Sequence, residues 1–112
     1  MKKFLLVLIL AFLTISIVGC SEKAQIRVDY PNESEFEEAL NAGEVVDGKI
    51  VTFTVEKFVP NSAFGYNLQA GEHLNFCSPK NPNVKDGDTL TVKVVEVTSV
   101  LGSYIISYEK VE

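Results

Sequence analysis

Few side chains in this 112-residue chain could do chemistry: two cysteines, Cys20 and Cys77, one histidine, His73, and fifteen Asp and Glu carboxylates. A thiol beside an imidazole is the pairing that makes a nucleophilic thiolate. Cys77 and His73 fall four residues apart in Leu74-Asn75-Phe76-Cys77-Ser78 and its approach, which reads as a strand end. On a strand that spacing leaves two side chains on one face about 13 Å apart, too far for proton transfer. Cys77 is therefore expected to be a small packed hydrophobe and His73, beside Glu72, a surface polar group. One His and one free Cys fall short of the four ligands of a closed zinc site. Asp86-Gly87-Asp88 lacks the ligand spacing of an EF-hand and is expected to fill a turn. No Gly-x-Ser-x-Gly elbow and no phosphate-cradling glycine loop occurs. The expectation is a protein that is not an enzyme, with no catalytic residue, no cofactor and no metal.

The elements that hold these residues are mostly strands. Residues 20–112 carry 13 Val against 5 Leu, a bias toward pleated, half-buried positions. Val51, Phe53 and Val55 alternate with polar residues in a first strand that can run on to Val59. Phe64, Tyr66 and Leu68 mark a second strand, with Gly65 at a bulge or close approach. Ala70-Gly71-Glu72 turns into Leu74 and Phe76, the third strand, and Ser78 to Asp88 is a loop. In Thr89 to Thr98, the fourth strand, Leu90, Val92 and Val94 occupy one phase and Val95 and Val97 the other. Such a slip implies a bulge, as strand coiling in a small barrel requires. Tyr104, Ile106 and Tyr108 mark the fifth. Ahead of the strands lies one helix, Asn32 to Gly43, with Phe36, Ala39 and Leu40 as its apolar stripe. Ser34 with Glu37 has capping-box spacing, Asn32 with Glu35 offers a second choice, and the acidic run is expected to be solvated. The fold class is mainly β: a small five-stranded OB-like barrel preceded by one short α-helix, with an SH3-like barrel as the alternative.

The N-terminus differs in kind. Fourteen of its first 19 residues are apolar, against 38 of the remaining 93. Lys2 and Lys3 precede an apolar run from Phe4 to Val18, about 22 Å long as a helix and short of a membrane span, so a signal helix is expected. The run closes on Ile17-Val18-Gly19-Cys20, which resembles the lipobox of bacterial lipoproteins. That resemblance implies cleavage between Gly19 and Cys20 and a diacylglyceryl thioether on Cys20. Two acyl chains give stable anchoring where one is marginal. The implied organisation is a signal peptide over 1–19, a lipidated cysteine and tether over 20–32, and helix plus barrel over 33–112. The implied location is the outer face of the cell membrane.

Two further resemblances cover most of residues 33–110. Gly48-Lys49-Ile50-Val51-Thr52-Phe53-Thr54-Val55 and Lys85-Asp86-Gly87-Asp88-Thr89-Leu90-Thr91-Val92 are similar to the openings of strands one and four in the OB domains called tRNA-anticodon-binding-like, found in small bacterial exported proteins. Asn61 to Phe76, with its Ala-Phe-Gly-Tyr-Asn-Leu-Gln-Ala-Gly-Glu-His block, and Ser99 to Tyr108 resemble a domain of unknown function in Gram-positive surface proteins and lipoproteins. Neither supplies a catalytic residue. Nucleic acid is not the expected partner: beyond residue 19 the chain has eight dispersed basic and fifteen acidic side chains, a net charge of −7, where phosphate neutralisation needs clustered Lys and Arg.

Recognition is what remains. OB barrels bind on the face of strands two and three. By alternation Phe64, Tyr66 and Phe76 belong to the core, and Asn67, Gln69, His73 and Asn75 form a polar outer surface. Amides with one imidazole suit a neutral polar ligand, a glycan or a peptide backbone. The expectation is an envelope binding module for a protein, peptide or glycan, or else an accessory subunit of a membrane complex.

Overall fold

The computed structural model describes residues 26–111. The expected signal segment, with Gly19 and the expected cleavage and lipidation position at Cys20, lies outside the described residues. Helix α1 (Glu33–Asn41) is followed by six strands: β1 (Ile50–Thr54), β2 (Lys57–Ser62), β3 (Gly65–Ala70), β4 (Leu74–Ser78), β5 (Thr89–Val100) and β6 (Ser103–Lys110). They form one sheet in the order β1-β5-β6-β4-β3-β2. β4 and β6 run parallel, and the other neighbours are antiparallel.

This order dictates the curvature. β1 and β2 are the two ends of the sheet, and in a flat sheet they would lie about 24 Å apart. Only Val55 and Glu56 connect them, a reach of about 10 Å, so the sheet curls round on itself into a barrel-like half-shell. Five strands are expected and six are present because the first changes partner midway. Through Thr54 it pairs with β5. Val55 then donates to the Asp88 carbonyl and accepts from the Gly87 amide, and Glu56 donates to Gln69, after which Lys57 and Phe58 pair with β3.

The expected slip in the fourth strand is a register shift between Val94 and Glu96. It leaves Val95 on the outside and returns Val97 to the inner face opposite Ile106. Thr52 and Thr54 sit opposite Thr91 and Thr89, and each pair shares a hydroxyl hydrogen bond. The outer edge of β2 is blunted. The Phe58 amide is capped by the Asp86 carboxylate at 2.8 Å, and Pro60, two residues on, has no N–H to offer a visiting strand.

The interior is filled from both strands and helix. Val51, Phe53, Leu68, Leu74, Phe76, Val92, Val94 and Ile106 are buried, and α1 closes one end of the shell with Phe36, Ala39 and Leu40. Asn32 caps the helix, accepting from the Glu35 amide at 2.9 Å and donating to its carboxylate. The cap is thus made by Asn32 with Glu35, through side-chain contacts, and not by Ser34 with Glu37, which leaves Glu37 for another role. The end of the segment read as tether is docked: Asp29 and Tyr30 both donate to the Ile50 carbonyl, Thr52 donates back to Tyr30, and the Tyr30 ring meets Phe36 edge-on. Among the described residues no helix is long and apolar enough to cross a membrane.

Two expected core residues are placed differently. Phe64 is 52% exposed, because the β2–β3 connection falls on Ala63 and Phe64 rather than before them, and a turn residue has no strand phase. Tyr66 is only half-buried, stacked on Phe58 near the strand end. Gly65 is the close approach anticipated: with φ +97°, a side-chain carbon there would come within 2.6 Å of the Ser78 carbonyl oxygen.

Candidate functional site

The β3–β4 turn gathers three of the four residues expected to bind. Gln69, His73 and Asn75, together with Glu56, Glu72 and Ser103, line a polar depression of about 200 Å³. Register explains the grouping: Gln69 and Asn75 are direct cross-strand partners, and Leu74 pairs with Tyr104, which brings the start of β6 alongside. The turn is fixed there by the Tyr104 amide donating to the His73 carbonyl at 2.9 Å.

Asn67 departs from the expectation. It points away from the core as its phase requires, yet it is only 6% exposed. It sits mid-sheet, opposite Val59 on one side and Cys77 on the other, and a short side chain there is shielded by its neighbours. Its amide nitrogen donates to Asn75 Oδ1 at 3.0 Å, while its own Oδ1 is buried without a partner among the described residues. Asn75 in turn donates to the Tyr104 carbonyl at 3.2 Å. Asn67 therefore acts beneath the site, holding Asn75, and is not a surface contact. Gln69 makes no side-chain hydrogen bond among the described residues, and its amide faces the depression unengaged.

His73 is more than surface decoration. Its Nδ1 lies 2.7 Å from Glu37 Oε2, and the other oxygen of Glu37 accepts from the Glu72 amide at 2.9 Å. Glu37 is 7% exposed, so the acidic run is not uniformly solvated. Glu37 joins α1 to the β3–β4 turn through His73, which also lines the depression. A sequence signal existed: Glu37 precedes Leu40 by three positions and so borders the apolar stripe, within reach of a partner on whatever the stripe covers, which a buried carboxylate requires. At the far end of α1, the Tyr104 hydroxyl donates to Asn41 Oδ1 at 2.8 Å. On the other side of the turn, Glu33, Glu37, Glu38, Asn41 and Glu72 border a second depression of about 420 Å³.

Cys77 is buried and free, as expected. Burial pushes its thiol up to about 11, the opposite of an activated nucleophile. Tyr108 is pushed up to about 12, by burial first and then by the proximity of Cys77. The Asp86 and Asp88 carboxylates are engaged in shaping their turn. Asp86 caps Phe58, and Asp88 accepts from the Lys85 amide and ammonium, which holds its carboxyl below the usual range.

No family model, curated protein or solved structure matches the chain.

Proposed function

We propose that the protein is a non-catalytic binding module of the bacterial cell envelope, built on an OB-fold and held to the outer face of the membrane by lipid on Cys20. The OB reading is supported by strand order. If β1 and β2 count as one bent first strand, the order becomes 1-4-5-3-2-1, with strands three and five parallel, which is the OB arrangement rather than the SH3-like one. The helix stands before the first strand instead of between strands three and four.

The observation that carries the binding reading is the convergence of Gln69, His73 and Asn75 in one polar depression with Glu56, Glu72 and Ser103. An unengaged amide, an imidazole nitrogen, a hydroxyl and two carboxylates make an acceptor-rich surface. It suits the hydroxyls of a glycan or the N–H groups of a peptide. The net charge of −7 beyond residue 19 opposes a nucleic-acid ligand. Capture from intact envelopes with the wild-type protein, against a Gln69→Ala/His73→Ala variant, tests this: partners retained by both would overturn the site. Cys20→Ala is expected to leave unprocessed precursor, and unchanged mature mass with full membrane retention would overturn the anchor.

The accessory-subunit reading draws on a different feature, the β5–β6 hairpin tip. Leu101 there is 100% exposed and has φ +50°, an apolar side chain presented to a neighbour.

A further inference from the structure

We propose that Glu37, Glu72 and His73 form an open site for a divalent transition metal, with zinc as the reference ion. One carboxylate oxygen from each glutamate and a ring nitrogen of His73 lie within 4.8 Å of one another. Zinc bonds such donors at about 2.0–2.2 Å, which places ligand atoms roughly 3–3.5 Å apart in a tetrahedral shell. Glu37 Oε2 and His73 Nδ1 are already 2.7 Å apart, and Glu72, whose side chain is exposed, needs only a rotamer change to close in. The proton between Nδ1 and the Glu37 carboxylate stands where the ion would sit. On binding it transfers to Nε2 by way of solvent, or is released outright from an imidazolium.

Three features separate this cluster from a chance grouping of surface acids. Two of its ligands come from different elements, α1 and the β3–β4 turn, and one of them is an imidazole, a donor that selects zinc, nickel or copper over magnesium and calcium. Glu37 is pre-oriented, since the Glu72 amide holds its Oε1 at 2.9 Å. That oxygen occupies the space a side chain on residue 71 would take, so the turn residue beside it is Gly71. Outer contacts of this kind orient metal-binding carboxylates. Finally, acidic groups outnumber basic ones: Glu33 and Glu38 share the adjoining depression, and among the described residues no Lys or Arg lines it and the ion-pair partner of Glu37 is His73. Water in that depression would fill the remaining coordination positions.

This inference shares Glu72 and His73 with the recognition depression but does not rest on that reading, since neither the polar ligand nor Cys20 enters it and zinc alone is the probe. The test is titration of the full-length chain, in detergent and stripped of metal by chelator, with zinc chloride alone. Calorimetry reads stoichiometry, and the nitrogen-15 shifts of the His73 ring read the location. The expected result is one ion per chain with a displaced Nδ1 resonance, and affinity at least about tenfold weaker in His73→Ala. Glu72→Gln, which keeps the backbone hydrogen bond to Glu37, is expected to weaken binding similarly. Absence of saturable binding, an unmoved His73 ring, or wild-type affinity in either variant would overturn the site.

Discussion

Phe53 on β1 and Phe76 on β4 stack face to face, with ring centroids 3.8 Å apart and planes 5° from parallel, although β5 and β6 lie between their strands in the sheet. The contact crosses the inside of the curl. Phe76 also stacks on Phe36 of the helix, at 5.8 Å, and meets Tyr108 edge-on. One ring thus joins helix, first strand and last strand. Phe76→Ala is expected to cost about 3–5 kcal/mol, and Phe76→Leu, which keeps part of the volume, about 1–2 kcal/mol. Urea denaturation checks both, and near-equal losses would show that stacking geometry outweighs filled volume here.

The two hairpin tips respond in opposite directions to substitution. At Gly65 a methyl group would strike the Ser78 carbonyl and the backbone has φ +97°, so Gly65→Ala is expected to cost at least about 2 kcal/mol. At Leu101 the side chain is fully exposed and φ is +50°. Leu101→Asn, which tolerates that conformation, is expected to stabilise by about 0.5–1 kcal/mol. Thermal melts of both variants provide the check. A Leu101→Asn protein that melts higher but loses a binding partner would favour the accessory reading.

Most of this architecture is legible in the periodicity of the sequence. The alternation of Val51, Phe53 and Val55, the stripe of Phe36, Ala39 and Leu40, and the slip at Val95 each follow from one element's own repeat, and each is found as expected. What escaped depends on pairing between distant elements. Nothing local in Val55-Glu56 says that the strand changes partner there, because the atoms responsible belong to Gly87, Asp88 and Gln69. Asn67 has the outward phase assigned to it, but its burial comes from neighbouring strands. Glu37 and His73 are 36 residues apart, and only the docking of helix on turn joins them. Phe64 failed for another reason, since a turn interrupts the repeat on which its placement rested.

Stability and recognition are separable within the polar depression. Asn75 bridges Asn67 and the Tyr104 carbonyl, so Asn75→Ala strands a buried amide and is expected to cost about 1–3 kcal/mol. The Gln69 side chain makes no hydrogen bond among the described residues, and Gln69→Ala is expected to stay within about 0.5 kcal/mol of wild type. Urea midpoints for the two variants measure the difference. A partner lost by Gln69→Ala at unchanged stability would locate recognition in the depression itself.

Alkaline pH is expected to weaken the fold through Cys77 and Tyr108. Burial raises the Cys77 thiol to about 11 from an ordinary value of 9.0, and Tyr108 to about 12 from 10.0. Within those windows the folded chain holds protons that the unfolded chain has released. Stability therefore falls as pH rises, first between about 9 and 11 through the thiol and then up to about 12 through the phenol. Below pH 9 neither group contributes a slope, and above both folded values the loss levels off. Urea midpoints measured across pH 8 to 12 should decline accordingly. Cys77→Ala should flatten the lower part of the decline, whatever its effect on absolute stability. The same burial predicts that iodoacetamide at pH 8 labels Cys77 slowly in the native protein and rapidly in urea. Fast native labelling would mean that the outer face of β4 opens far more often than the Asn67–Asn75 contact and the packing around it imply.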